Sequence, residues 1–198
     1  MQLRRCGTDA VLVEVGSLGE VEAVRAALAD LPDVVELVPA ARTVLVVAPG
    51  GLTAVRAALA TADLAHRPGA DGAEVVVPVR YDGPDLDLVA ETAGLTAAEV
   101  VELHTGADYR VAFCGFAPGF AYLTGLPEPL RQPRLDSPRT KVPTGSVGVA
   151  GEYTAAYPRS TPGGWRLIGR TDAPLFDPRR PTPALLAPGD RVRFEATR

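Results

Sequence analysis

Apolar positions along the first third of the chain recur with two periods. Ala10–Val15 is a short apolar run of β character. Ser17-Leu18-Gly19-Glu20 then reads as a capping box, with Ser17 placed to cap the backbone and Glu20 to reach back. Val21, Val24, Leu28 and Leu31 follow at helical spacing until Pro32 ends the segment. Val34–Val38 and Thr43–Val47 read as strands joined by a turn over 39–42. Leu52, Val55, Leu59 and Ala62 mark a second helix, and Glu74–Val79 a further strand. The order β-α-β-β-α-β predicts a ferredoxin-like α/β domain over residues 1–80, a four-stranded antiparallel sheet with two helices on one face.

Tyr81-Asp82-Gly83-Pro84 breaks that pattern. Two short helices are predicted next, Leu86–Ala93 and Ala97–His104, with Gly94 at the C′ position of the first and a Thr96/Glu99 capping box on the second. The acidic pairs Glu20/Glu22 and Asp85/Asp87 stand at helix starts, where capping accounts for them. Past Asp108 helical periods fade, and most of the 19 prolines lie there. Short β-like runs at Tyr109–Cys114, Ser146–Ala150, Trp165–Gly169 and Asp190–Phe194 are separated by Gly/Pro turns. They predict a small β-barrel over residues 81–198, and an α+β fold class for the whole.

Composition acts mainly by exclusion. With 198 residues, 46% hydrophobic and 22% charged, the chain can bury a real core and is neither disordered nor a disulfide scaffold. The apolar runs are too short for a membrane span, and Met1–Gly7 leads into Thr8-Asp9 instead of a signal-peptide core, so a cytoplasmic protein is expected. A net charge of −4 argues against nucleic-acid binding through a broad basic surface. Cys6 and Cys114 stand far apart and are expected as thiols. A zinc site would need nearly all of these cysteines and the two histidines, His66 and His104, so no metal is expected. There is no P-loop and no Gly-x-Ser-x-Gly elbow. Ser146 follows a glycine, but its base would have to be His104 or an acid brought in by folding.

Three segments carry candidate chemistry. Phe113–Leu123 sets Phe116, Phe120 and Tyr122 around Gly115, Pro118 and Gly119, either as flat apolar walls or as a core strand entering a tight turn. Pro133–Ser146 holds Arg134, Arg139 and Lys141 among prolines that stiffen the backbone. Such cations suit a carboxylate or phosphate, or simply a solvated basic loop, and Lys141 is the only lysine among 20 basic residues. Ser160–Thr171 places Pro162-Gly163-Gly164 before the only tryptophan, Trp165, with Arg170 at the end of the following strand. That turn can present backbone N–H groups to a ligand.

Read together, these segments resemble the KipI-like family, also called allophanate hydrolase subunit 1 or the 5-oxoprolinase B-type subunit. The likeness rests on Gly115–Leu123, on the Pro-Arg…Pro-Arg…Val-Pro-Thr-Gly-Ser-Val run over 133–147, and on Pro162–Thr171. Tyr81–Leu86, Glu102–Thr105 and Gly189–Phe194 also fit. One departure is Ala150-Gly151-Glu152-Tyr153-Thr154, where the family commonly shows a glutamine before the threonine.

The resemblance implies a cyclophilin-like barrel for the C-terminal part. It also implies a protein that works with a homologous C-type (KipA-like) subunit and an A subunit of 5-oxoprolinase, hydrolysing 5-oxo-L-proline to L-glutamate with ATP. The pair of domains is also similar to the carboxyltransferase part of urea carboxylase. A non-enzymatic inhibitor of a sensor histidine kinase and a carboxyltransferase-like subunit for urea or a related amide are the other readings the family allows. For a lactam hydrolase, Arg139, Lys141 and Arg170 are the expected catalytic cations. Phe116, Pro118, Tyr122, Arg134, Ser146, Gly163, Gly164 and Trp165 are the expected substrate contacts. Lactam opening needs help because the carbonyl is resonance-stabilised and the amine leaves poorly, so developing charge must be stabilised.

Overall fold

A computed structural model describes residues 1–65 and 72–198, so His66 lies outside the described residues. The chain forms two compact units, Met1–Gly69 and Ala70–Arg198.

In the first unit, β1 (Gln2–Cys6), β2 (Ala10–Glu14), β3 (Glu36–Pro39) and β4 (Thr43–Val47) make an antiparallel sheet in the order β1-β2-β4-β3. Two helices, α1 (Leu18–Leu28) and α2 (Leu52–Thr61), bury Val21, Val24, Leu28, Val55 and Leu59 against Val11, Val13, Val44 and Val46. Ser17 caps α1 by accepting from the Glu20 N–H at 3.3 Å, and the Glu20 carboxylate reaches back to the Gly16 N–H.

The expected fourth strand is a correction. Glu74–Val79 does form a strand, β5, but it pairs parallel with β13 (Arg191–Ala196) in the second unit. The sheet position beside β2 is taken by β1, which the pattern did not reveal. The physical reason is plain, since β1 is an edge strand whose residues other than Leu3 are exposed, so it has no apolar alternation to read. The division between units accordingly falls at 69/70, not near residue 80.

The second unit holds β6 (Tyr109–Cys114), β7 (Ala121–Thr124), β9 (Ser146–Ala150), β10 (Tyr153–Ala156) and β12 (Arg166–Arg170) with β5 and β13. Their order is β12-β9-β10-β7-β6-β13-β5. Closure comes just past β5, where Arg80 and Arg170 exchange both backbone hydrogen bonds at 2.8 Å. The Gly83 and Asp85 N–H groups continue that seam onto Ile168 and Leu167. The expected barrel is therefore present. A separate two-stranded ribbon pairs β8 (Arg139–Val142) with β11 (Thr161–Gly163). Among the described residues no helix is long and apolar enough to cross a membrane.

Helices α3 (Leu86–Ala93) and α4 (Ala97–Thr105) pack on this unit, the latter with the full Thr96/Glu99 capping box. His104 on α4 is wholly buried among Tyr81, Tyr109 and Phe194. Thr154 Oγ1 donates to the Gly148 carbonyl, so it accepts from His104 Nε2 at 3.0 Å, and Nδ1 accepts from the Tyr81 hydroxyl at 2.7 Å. Both ring nitrogens are thus committed, and His104 is not a base for Ser146. Burial pulls its pKa down to about 3.

That depression has a measurable consequence. Below about pH 6.5 the unfolded chain takes up a proton that the folded imidazole refuses. Stability is expected to fall by about 1.4 kcal/mol per pH unit as pH drops from about 6.5 toward 3, with no His104 slope above that window. Urea midpoints of wild type and His104→Gln across this range check it, because the variant lacks this slope.

Candidate functional site

The proline-flanked cation segment is not a loop throughout. Arg139–Val142 is a strand, and on a two-residue period Arg139 and Lys141 share one face while Val142 is buried on the other. Arg139 and Lys141 line a cleft of about 520 Å³ together with Ser146, Thr144, Thr171 and Arg170. Gly145, at φ +80, lets this wall form, since a Cβ there would clash with the Thr171 carbonyl oxygen.

The three cations of the cleft are not equivalent. Arg170, the last residue of β12, pairs with Asp82 at 2.6 Å in a half-exposed bridge. Arg139 pairs with Asp85 at 2.6 Å, where the carboxylate is 8% exposed and the guanidinium 27%. Lys141 is exposed and makes no ion pair among the described residues. Arg139 is therefore not a cation of a solvated basic loop, the alternative that the sequence left open. Its charge is balanced by a nearly buried carboxylate, and removing either partner strands the other.

Beside the cleft lies an aromatic recess of about 80 Å³ lined by Phe116, Phe120, Tyr122, Tyr157, Trp165, Arg134, Gly163 and Gly164. Phe120, at its floor, meets Trp165 edge-on at 5.6 Å and Tyr157 at 5.2 Å, and Tyr122 meets Trp165 at 5.7 Å. Burial raises the Tyr122 pKa and pushes that of Tyr157 up to about 12, while the nearby Arg134 charge opposes both shifts. Phe116 is 59% exposed and is the one non-glycine residue with positive φ, at 69°, among the described residues. The Ala117 N–H bonds back to the Gly115 carbonyl at 2.8 Å, so Phe116 is the centre of a three-residue γ-turn, a strained conformation.

The sequence-derived residues therefore fall into two neighbouring groups. Arg139, Lys141, Arg170 and Ser146 meet at the cleft, and Phe116, Tyr122, Arg134, Gly163, Gly164 and Trp165 at the recess. Pro118 is exposed in the turn and lines neither. Phe120, a candidate wall of the first motif, and Tyr157 join the recess in addition to the expected substrate contacts; Tyr157 lies outside all three motifs, and only the fold brings it in. Tyr153 lines neither, but its ring meets Tyr122 edge-on at 5.8 Å, and its pKa is raised to about 12 by burial and by the adjacent Glu152 carboxylate.

The chain matches the family described as carboxyltransferase domain, subdomain C and D, over residues 1–186. The chain belongs to this family. Among the relatives of this carboxyltransferase subdomain C and D chain is the 5-oxoprolinase B-type subunit of Escherichia coli O157:H7, 41% identical over 98% of this chain and 96% of that one. The crystal structure of TTHA0988 superposes with a TM-score of 0.82 at 35% identity, covering 96% of this chain. This chain spans only 40% of that structure's length. Kluyveromyces lactis urea carboxylase shares the fold, with a TM-score of 0.74 over 99% of this chain, 22% of that one and 19% identity.

Proposed function

We propose that this chain is the B-type subunit of a cytoplasmic 5-oxoprolinase complex and holds 5-oxo-L-proline while the lactam is opened to L-glutamate. The likeness to the Escherichia coli protein over nearly all of both chains carries the reading. The chemistry of the site supports it. The substrate is a small five-membered lactam bearing one carboxylate. The aromatic recess offers ring walls, and the Arg134 guanidinium beside them matches a carboxylate in its fork geometry. Lys141 in the adjoining cleft is the cation left for a second anionic group.

The cleft offers little free positive charge for a triphosphate. Arg139 and Arg170 are each balanced by an aspartate, which leaves one uncompensated cation among the described lining residues. This favours a division in which ATP binds on the partners, the homologous C-type (KipA-like) subunit and the A subunit, and this chain positions the substrate.

Co-expression of the three subunits should give a complex on size-exclusion chromatography that consumes 5-oxoproline only with ATP. Within it, Lys141→Ala should lower kcat/KM at least about tenfold, since a hydrogen bond to a charged group contributes about 1.5–3 kcal/mol. The melting temperature should hardly move, because exposed charges contribute under about 1 kcal/mol to folding. A wild-type mixture that leaves 5-oxoproline intact sinks the reading, and a fully active Lys141→Ala variant removes the lysine from the site.

A further inference from the structure

Asp85 stands at the N-cap of α3, where a carboxylate ordinarily accepts from the first helical N–H groups. It makes no such bond. Its Oδ1 accepts from Arg139 Nη2 at 2.6 Å, and its Oδ2 accepts from the Leu167 backbone N–H at 2.7 Å. The capping role expected from the sequence is thus replaced by a nearly buried cross-link. Arg139 extends it, because Nη1 donates to the Trp165 carbonyl at 3.4 Å. One carboxylate therefore ties the start of α3 to β8 and to the start of β12. Arg139 faces the cleft, and Trp165 walls the recess.

We infer that Asp85 is a positioning residue that holds the cleft and the aromatic recess in fixed mutual geometry through Arg139. Arg139 and Lys141 share a face of β8, so clamping the arginine also holds the strand from which the lysine leaves. The Leu167 bond pins the backbone two residues beyond Trp165, and the Arg139 bond to the Trp165 carbonyl pins the backbone that carries the indole. Arg139 then serves by geometry, its charge being balanced by Asp85. The ligand in this inference rests on the proposed 5-oxoproline reading, whereas the cross-link belongs to the chain alone.

Asp85→Asn keeps the shape, but its amide must turn an NH2 group toward one of two donors, so one partner loses its acceptor. In the reconstituted complex this should raise KM for 5-oxoproline about tenfold while kcat changes less than about threefold. Arg139→Lys, whose ammonium lacks the planar fork, should show the same split. The double variant should be no worse than the worse single, since both break one linkage. In the isolated full chain, acrylamide quenching of Trp165, the only tryptophan, should rise several-fold in Asp85→Asn with unchanged far-UV circular dichroism. Additive losses in the double variant overturn the inference. So does a lowered melting temperature with wild-type KM and wild-type quenching, which is what a purely stabilising ion pair would give. If the wild-type complex does not turn over 5-oxoproline, the substrate reading fails and Trp165 quenching still decides the cross-link. If Asp85→Asn does not fold, Arg139→Lys carries the same readouts.

Discussion

Gly164→Val should lower kcat/KM of the reconstituted complex for 5-oxoproline at least about a hundredfold while the chain stays folded. Gly164 lines the aromatic recess, and its carbonyl accepts from the Leu135 N–H at 2.7 Å. The atoms nearest a Cβ there are the Leu135 oxygen and two Pro138 carbons, all at 3.7 Å, which is ordinary contact. Alanine therefore fits, and Gly164→Ala should keep most of the activity. Valine adds two methyl groups that crowd the 135–138 segment if they point toward it, so they turn into the recess or push Arg134 outward. Either way the space for a ring beside the guanidinium is lost. Thermal melting recorded beside turnover separates this from unfolding. A folded Gly164→Val variant with wild-type turnover removes the turn from the site.

Gly169→Ala should lower stability by about 3 kcal/mol, or roughly 10 °C in melting temperature. Gly169 lies on β12 where the barrel closes against Arg80. A Cβ would sit 2.6 Å from the Arg80 carbonyl oxygen and 2.9 Å from Val79 Cγ1. That oxygen accepts the Arg170 N–H across the seam, so it cannot move aside without opening the closure. Gly115→Ala is the matching control. A Cβ there meets nothing within 4 Å, so its melting temperature should stay near wild type. Equal melting temperatures for all three proteins would show that the seam tolerates a side chain.

Two of these effects are invisible in the sequence for the same reason. Gly164 and Gly169 look alike as letters, yet one borders an open recess and the other the backbone of Arg80 across the seam. Asp85 and Asp87 likewise read as a helix-start pair, and only the fold turns Asp85 away from the helix toward Arg139, 54 residues on. Arg139, Lys141 and Arg170 read as three similar cations. The structure balances two of them against aspartates and leaves the lysine unpaired among the described residues.

Elements whose signal is local were legible from the residues alone. Strand β4 at Thr43–Val47, helix α3 at Leu86–Ala93 and its Gly94 stop, and the Thr96/Glu99 box are each encoded within a few residues by alternation, helical spacing or capping. The motif segments at 115–123, 133–147 and 162–171 supply most of the residues that line the cleft and the recess. Pairing between distant segments had to wait for the folded chain. Strand β5 is recognisable as a strand, but nothing within Glu74–Val79 says that its neighbour is Arg191–Ala196 and not β2. The same holds for β1, whose polar edge carries no period, and for Tyr157, brought to the recess from outside every motif. Local patterns record which way each residue faces, whereas the partner it faces is set by packing the whole core, which no short stretch of chain contains.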